Sequence, residues 1–168
     1  MPSIESGRAA EVPEPRVATL GVLSDTEIRI SRIIHAPVEK VWQAHTEPEI
    51  MRKWLTGDDG RTMVKCDWKA TAGESYRFGW AREDGSQPFE FGGEVREVHA
   101  PRRLVTTERM FGDDGPEQVQ ILELAPHKDG TLLTQVHTFP DRGARDQGLD
   151  SRMVEMETTF QRLEKVLG

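Results

Sequence analysis

The chain has 168 residues, with 22 Lys+Arg against 29 Asp+Glu and a formal net charge of −7, which is the length of roughly one domain of about 150 residues. That balance excludes most nucleic-acid roles, because holding phosphates needs concentrated Lys and Arg, and it argues against binding at anionic membrane surfaces. The one cysteine, Cys66, forms no intrachain disulfide and no cysteine zinc site by itself, and no apolar run approaches the roughly 20 residues that span a bilayer.

Residues 1–24 have no helical or strand period. Pro2, Pro13 and Pro15 are interleaved with small and charged residues, and Glu5, Arg8 and Glu11 interrupt any signal-peptide core. The expectation is a flexible leader, with docking of Val17–Leu23 on the domain as the alternative, followed by a single domain over residues 25–168.

From Thr26 the pattern changes. Ile28, Ile30, Arg32 and Ile34 alternate with Arg29, Ser31 and Ile33, the period of a half-buried strand. Pro37 ends it and suits the first turn of a helix. Val38, Val41, Trp42 and His45 then fall on one helical face. Thr46, Pro48 and Glu49 predict a restart with a capping box, and Ile50, Met51 and Trp54 form the apolar face of a second short helix. Strand-like runs follow at Met63–Trp68, Ser75–Arg82, Phe89–Val98, Leu104–Phe111, Val119–Leu124 and Leu132–Phe139. Asp-Gly pairs at 59–60, 84–85, 114–115 and 129–130 separate many of them as turn signals. Consecutive strands with short turns pair antiparallel. Last, Leu149, Met153, Met156, Phe160, Leu163 and Leu167 step by three and four, an apolar stripe on a long C-terminal helix.

A long amphipathic helix needs a surface for its stripe, and the curved sheet is the one available. Function then turns on whether the space between them is filled or hollow. Tyr76, Phe78 and Trp80 share one strand face, and Phe89 and Phe91 share one face of the next. Trp54, Trp68, Trp42 and Met110 are placed to join them. These rings are either core or the wall of a cavity. Gly73, Gly79, Gly92 and Gly93 thin the space between them, or else mark bulges and bends.

The polar candidates are few. None of His35, His45, His99, His127 and His137 stands in an H-x-x-x-H pair or near a Cys/His cluster, so no metal site is expected. Asp58-Asp59 and Asp113-Asp114 lack the spacing of a calcium loop. There is no G-x-S-x-G, P-loop or G-x-G-x-x-G, and no cofactor is expected. His45 reads as a satisfied histidine at the edge of the core. His137, in line with Leu133 and Gln135, is the best single polar contact for a ligand. By parity Glu97 shares the inward face of Phe89, Phe91, Gly93 and Val95. There it would either pair with Arg32 or Arg77 or do acid/base work.

The segment Ile30-x-Arg32-x-Ile34-x-Ala36-Pro37-x-x-x-Val41-Trp42-x-Ala44-x-Thr46-x-Pro48-Glu49-x-x-x-x-Trp54 resembles the bacterial homologues of the activator of the ninety-kilodalton heat-shock chaperone ATPase, within the START-like (SRPBCC) superfamily. Ala72-Gly73-x-x-Tyr76-Arg77-Phe78, Gly93-x-Val95-x-Glu97-Val98, Pro101-x-Arg103-Leu104-Val105-x-Thr107-Glu108, Phe139-Pro140-x-x-x-Ala144-Arg145-Asp146 and Phe160-Gln161-Arg162-Leu163 match as well. The likeness covers residues 26–167. It implies an α+β helix-grip fold, a curved antiparallel sheet of about seven strands around a long C-terminal helix, often with a cavity between. The expected role is binding a hydrophobic or aromatic, lipid- or polyketide-like molecule through Trp54, Trp68, Tyr76, Phe78, Trp80, Phe89, Phe91, Glu97, Met110, His137, Met153 and Met156. The resemblance also implies two alternatives, a polyketide cyclase or dehydratase and a chaperone-interacting module. The protein is expected to be cytoplasmic, a monomer or homodimer, with no nucleic-acid partner and no membrane insertion.

Overall fold

A computed structural model describes residues 14–56, 60–112, 117–152 and 156–168. Eight strands form one antiparallel sheet: β1 (Thr19–Val22), β2 (Glu27–Ile34), β3 (Arg61–Asp67), β4 (Ser75–Arg82), β5 (Phe89–His99), β6 (Arg103–Met110), β7 (Gln118–His127) and β8 (Gly130–Thr138). Their spatial order is β1-β2-β8-β7-β6-β5-β4-β3. Strands β3 to β8 therefore run as a meander that returns β8 to β2. Two helices, α1 (Val38–Thr46) and α2 (Pro48–Trp54), carry the chain from β2 to the far edge at β3. Two more follow β8: α3 (Arg142–Arg152) and α4 (Met156–Leu167). This is the helix-grip arrangement, with one strand more than expected.

The added strand is β1, inside the segment read as a leader and within the Val17–Leu23 stretch given as the docking alternative. It pairs antiparallel with β2, Thr19 opposite Ser31 and Val22 opposite Ile28. Residues before it are tied down too: the Ile33 amide donates to the Pro15 carbonyl at 2.8 Å, and Arg16 bonds Asp129 at 2.7 Å. Four residues are too few to show a period. Backbone bonds to an open strand edge hold this segment more than side-chain burial does, and hydropathy does not record such bonds.

Local chemistry explains the helix boundaries. Pro37, with φ −64° and ψ 154°, is the residue before the first turn of α1 rather than inside it, and Pro48 opens α2 behind Glu47. The expected capping box does not form. Thr46 instead donates its hydroxyl back to the Trp42 carbonyl at 2.9 Å, the competing bond open to a threonine at the end of a helix. Asp141 starts α3, its Oδ1 accepting from the Ala144 amide at 2.8 Å. Gly85 and Gly130 take positive φ in the β4–β5 and β7–β8 turns, as their Asp-Gly pairs predict. Cys66 is buried on β3 opposite Phe78, where burial pushes its thiol up and leaves it inert.

The core lies between the inner sheet face and helices α1, α2 and α4. Ile30 and Ile34 of β2, Leu133 of β8, Val41 of α1 and Phe160 and Leu163 of α4 are all nearly solvent-free. Among these apolar residues sits Arg32, only 4% exposed. Its guanidinium bonds Glu157 of α4 through Nε at 2.9 Å and Nη2 at 2.8 Å, and reaches Glu164 one helical stretch further on at 3.1 Å. Glu157 also accepts from the Ala18 amide at 2.6 Å, and Glu164 from the His35 amide at 2.9 Å. Burial alone would raise both carboxyl pKa values. The Arg32 cation and these amides hold them below the ordinary carboxylate range.

Replacing Arg32 with Met would strand two half-buried carboxylates. The expected loss is about 2–3 kcal/mol of unfolding free energy, less than for a fully buried pair because both carboxylates keep some solvent contact. Urea unfolding measures it. The triple variant R32M/E157Q/E164Q should regain about half of that loss.

Candidate functional site

Strands β4 and β5 carry large rings on their inner face, and Trp68 joins them just past the end of β3. Register puts Phe78 opposite Phe91, and Trp80 opposite Phe89. The rings form one cluster: Trp80 stacks on Phe89 (centroids 5.1 Å apart) and on Phe91 (4.9 Å), while Tyr76 contacts Phe78 (5.0 Å) and Trp68 (5.2 Å). Offset and tilted pairs of this kind are favourable beyond their burial.

The cluster does not close against α4. A cavity of about 630 Å³ remains, walled by these rings, by Met51 and Trp54 of α2, by Leu104 and Leu122 of the sheet, and by Met156 and Phe160 of α4. Directional bonds hold its rim. The Trp54 indole N–H donates to the Ala44 carbonyl at 2.8 Å, and that of Trp80 donates to Leu55 at 2.5 Å. Arg162 of α4 donates to the carbonyls of Trp54 at 3.1 Å and Thr56 at 2.5 Å, crossing from the helix to the end of α2.

Of the residues the sequence singles out, Trp54, Trp68, Tyr76, Phe78, Trp80, Phe89, Phe91 and Met156 line the cavity. Met153 lies outside the described residues. Glu97 does not face inward. A β-bulge between Val95 and Glu97 shifts the register by one residue, so parity fails beyond Val95. Glu97 is exposed on the sheet's outer side, bonded to His99 at 3.3 Å and near Arg103 at 3.6 Å, while Arg32 is held by α4. Met110 pairs with Phe91, but it is 39% exposed at the strand end and contributes no lining. His137 is buried in the sheet next to the cavity rather than in its wall. Its Nδ1 meets Gln118 Oε1 at 3.0 Å and its Nε2 meets Gln135 Oε1 at 3.1 Å.

Gly93 has a specific task. A Cβ there would come within 2.2 Å of the Thr107 carbonyl oxygen. That same oxygen accepts the Tyr76 hydroxyl at 2.6 Å. The glycine lets β6 approach and ties the tyrosine's polar end into the sheet.

In the sequence Gln135 is in line with His137 and His45 reads as a core-edge histidine, but Thr106, Gln120, Arg61 and Arg162 are not singled out there and Glu108 is not assigned to the lining. Strand parity carries part of the signal for them, since Thr106 and Glu108 alternate with Leu104 on one face. His45 is satisfied only in part. Its Nδ1 donates to the Val41 carbonyl at 2.8 Å, which fixes the tautomer, while Nε2 is buried without a hydrogen-bond partner, as is the Trp68 indole N–H. Burial pushes the imidazole pKa down to about 4, against a smaller upward pull from the Val41 carbonyl. The half-buried ring lines the cavity, and with its pKa held at about 4 it is neutral at pH 7. Among the described residues no group of acidic, histidine or cysteine side chains could hold a metal ion, and no helix is long and apolar enough to cross a membrane.

A histidine whose pKa falls on folding binds its proton in the unfolded chain first. Stability is then complete above about pH 6.5 and declines as the pH falls toward 4. The expected loss between pH 7 and pH 5 is about 2 kcal/mol, and His45→Gln should remove most of this slope. Urea unfolding at the two pH values measures both. Below about pH 4.5 a second decline is expected as Glu157 and Glu164 protonate.

Comparison with known proteins agrees with this fold. The family model described as activator of Hsp90 ATPase homolog 1-like protein matches residues 35–168. No curated protein matches the chain. A crystal structure of a Rhodobacter sphaeroides protein is 29% identical, with a TM-score of 0.83 over 90% of this chain and 97% of that one. A Mycobacterium smegmatis protein, 19% identical, shares the fold with a TM-score of 0.79 over 90% and 97% of the two chains. A solution structure from Aeromonas hydrophila, described as AHSA1-like, is 23% identical with a TM-score of 0.65 over 83% and 92%. The chain belongs to the family of proteins like activator of Hsp90 ATPase homolog 1, within the START-like superfamily.

Proposed function

We propose that this cytoplasmic protein binds a hydrophobic or aromatic small molecule, lipid- or polyketide-like, between the sheet and helix α4. The observation that carries this reading is a cavity of about 630 Å³ edged by eight aromatic side chains, Phe160 of α4 included, inside the range of about 300–1,000 Å³ usual for small-molecule sites. Each Å² of apolar ligand surface removed from water contributes about 25 cal/mol. Preformed rings add shape selection at little ordering cost. A cyclase or dehydratase reading has less support, since Glu97 is outside, the Tyr76 hydroxyl serves Thr107, and His137 is engaged by two glutamines.

The test uses the protein's own fluorophores. Three of its four tryptophans, Trp54, Trp68 and Trp80, line the cavity. A panel of lipids, flavonoids and polyketides should include ligands that quench tryptophan emission and raise the melting temperature at micromolar concentration. Thr159→Trp, on the half-buried wall of α4, should fill the space and weaken such a ligand by about tenfold or more. No quenching and no thermal shift across the panel would remove the reading. The family's description favours a second reading, a chaperone-contacting module. Stimulation of a bacterial ninety-kilodalton heat-shock chaperone ATPase that survives Thr159→Trp would favour it over ligand binding.

A further inference from the structure

Buried polar atoms in folded proteins are nearly always hydrogen-bonded, and each exception calls for an explanation. The cavity wall holds two such exceptions. Nε2 of His45 and the indole N–H of Trp68 are both buried with no hydrogen-bond partner, and both residues line the cavity. The other indoles of the wall are treated differently. Trp54 donates to the Ala44 carbonyl at 2.8 Å and Trp80 to the Leu55 carbonyl at 2.5 Å. The fold thus supplies acceptors to two of the three lining indoles and withholds one from Trp68, just as it withholds a donor from the imidazole.

The imidazole is held in one orientation. His45 lies in the last turn of α1, and its Nδ1 donates to the Val41 carbonyl at 2.8 Å. With that proton on Nδ1, Nε2 of the neutral ring carries a lone pair and no hydrogen. The two nitrogens lie on opposite sides of the ring, so Nε2 is turned away from the backbone of its own helix. Trp54 packs edge to face against the imidazole, centroids 4.9 Å apart, and its indole is tied to Ala44, the residue before His45. The acceptor is therefore preset before any ligand arrives. It has already lost its hydration, so a donor that reaches it forms a bond with no further desolvation of the protein.

Building on the cavity reading above, we propose that His45 is a specificity-determining residue whose Nε2 accepts a hydrogen bond from a hydroxyl on the ligand's ring system. The ligand is then a neutral hydroxylated aromatic, a phenol, with its rings against the aromatic wall. Trp68 sets the complementary demand. Its N–H is a donor and suits an oxygen elsewhere on the same molecule, which favours oxygen-substituted rings over amines. A hydrocarbon of the same shape leaves both nitrogens unmatched. An O-methylated form has no proton to give His45.

Three probes test this by calorimetric titration of the full chain at pH 7, where the phenol is un-ionised: biphenyl, para-methoxybiphenyl and para-hydroxybiphenyl. The hydroxyl form should bind about fivefold or more tighter than the methoxyl form. His45→Phe should abolish that preference, and His45→Gln, whose amide oxygen can accept, should keep part of it. In the unaltered protein the nitrogen NMR resonance of His45 Nε2 should move upfield with hydroxybiphenyl and stay in place with biphenyl, a readout that does not depend on either variant folding. Equal affinities for the hydroxyl and methoxyl forms, a hydroxyl preference that survives His45→Phe, or an Nε2 resonance that hydroxybiphenyl leaves unmoved each overturn the inference. In those cases the probes still bind and the cavity reading stands. If none of the three binds, the cavity reading and this inference fall together.

Discussion

A single buried cation holds this architecture together. Arg32 stands on the inner face of β2 between Ile30 and Ile34, where neighbouring positions are apolar, and clamps two carboxylates of α4. A buried guanidinium without partners would be very costly, so the helix can lie over the sheet in only one position and one rotation. Phe160, 6.0 Å below the guanidinium, and Leu163 complete the seat. Charge pairing does not outperform hydrophobic packing in raw stability. What it supplies is register, and register decides which residues of α4 face the space above the rings.

With α4 fixed from the β2 side, the opposite side is free to remain hollow. There the helix does not press into the aromatic strands. Instead Arg162 reaches across to the carbonyls at the end of α2, and the indoles of Trp54 and Trp80 hold neighbouring backbone oxygens. These are directional contacts of fixed length, and they prop the short helices where side-chain packing would pull them inward. The rings pack mainly on one another, so the aromatic wall keeps its shape without help from the helix.

Much of the fold was legible because its signals are local. The strand alternation of Ile28 to Ile34, the Pro37 and Pro48 helix starts, the Asp84-Gly85 and Asp129-Gly130 turns and the stripe through Phe160 and Leu163 each need only a few residues of context. The ring-bearing wall was legible for the same reason, since Tyr76, Phe78 and Trp80 share a face by simple period two. What failed was non-local. β1 is held by an unpaired strand edge that no hydropathy window records. Glu97 was misplaced because a one-residue bulge cancels parity, and the bulge depends on pairing with β6. The polar side of the cavity was legible only in part: parity puts Thr106 and Glu108 on the face of Leu104, but Gln120 and Gln135 join them only when β6, β7 and β8 lie side by side. No single strand carries more than two of its residues in the cavity wall.

The Glu157 carboxylate joins segments that are far apart in the chain. It holds Arg32 with the same group that accepts the Ala18 amide, so residues near both ends of the described chain meet on one side chain. During synthesis the amide of Ala18 emerges early, and its acceptor is 139 positions away. Glu157 must therefore have left the ribosome before β1 acquires this anchor, and the contact joins segments synthesised far apart in time.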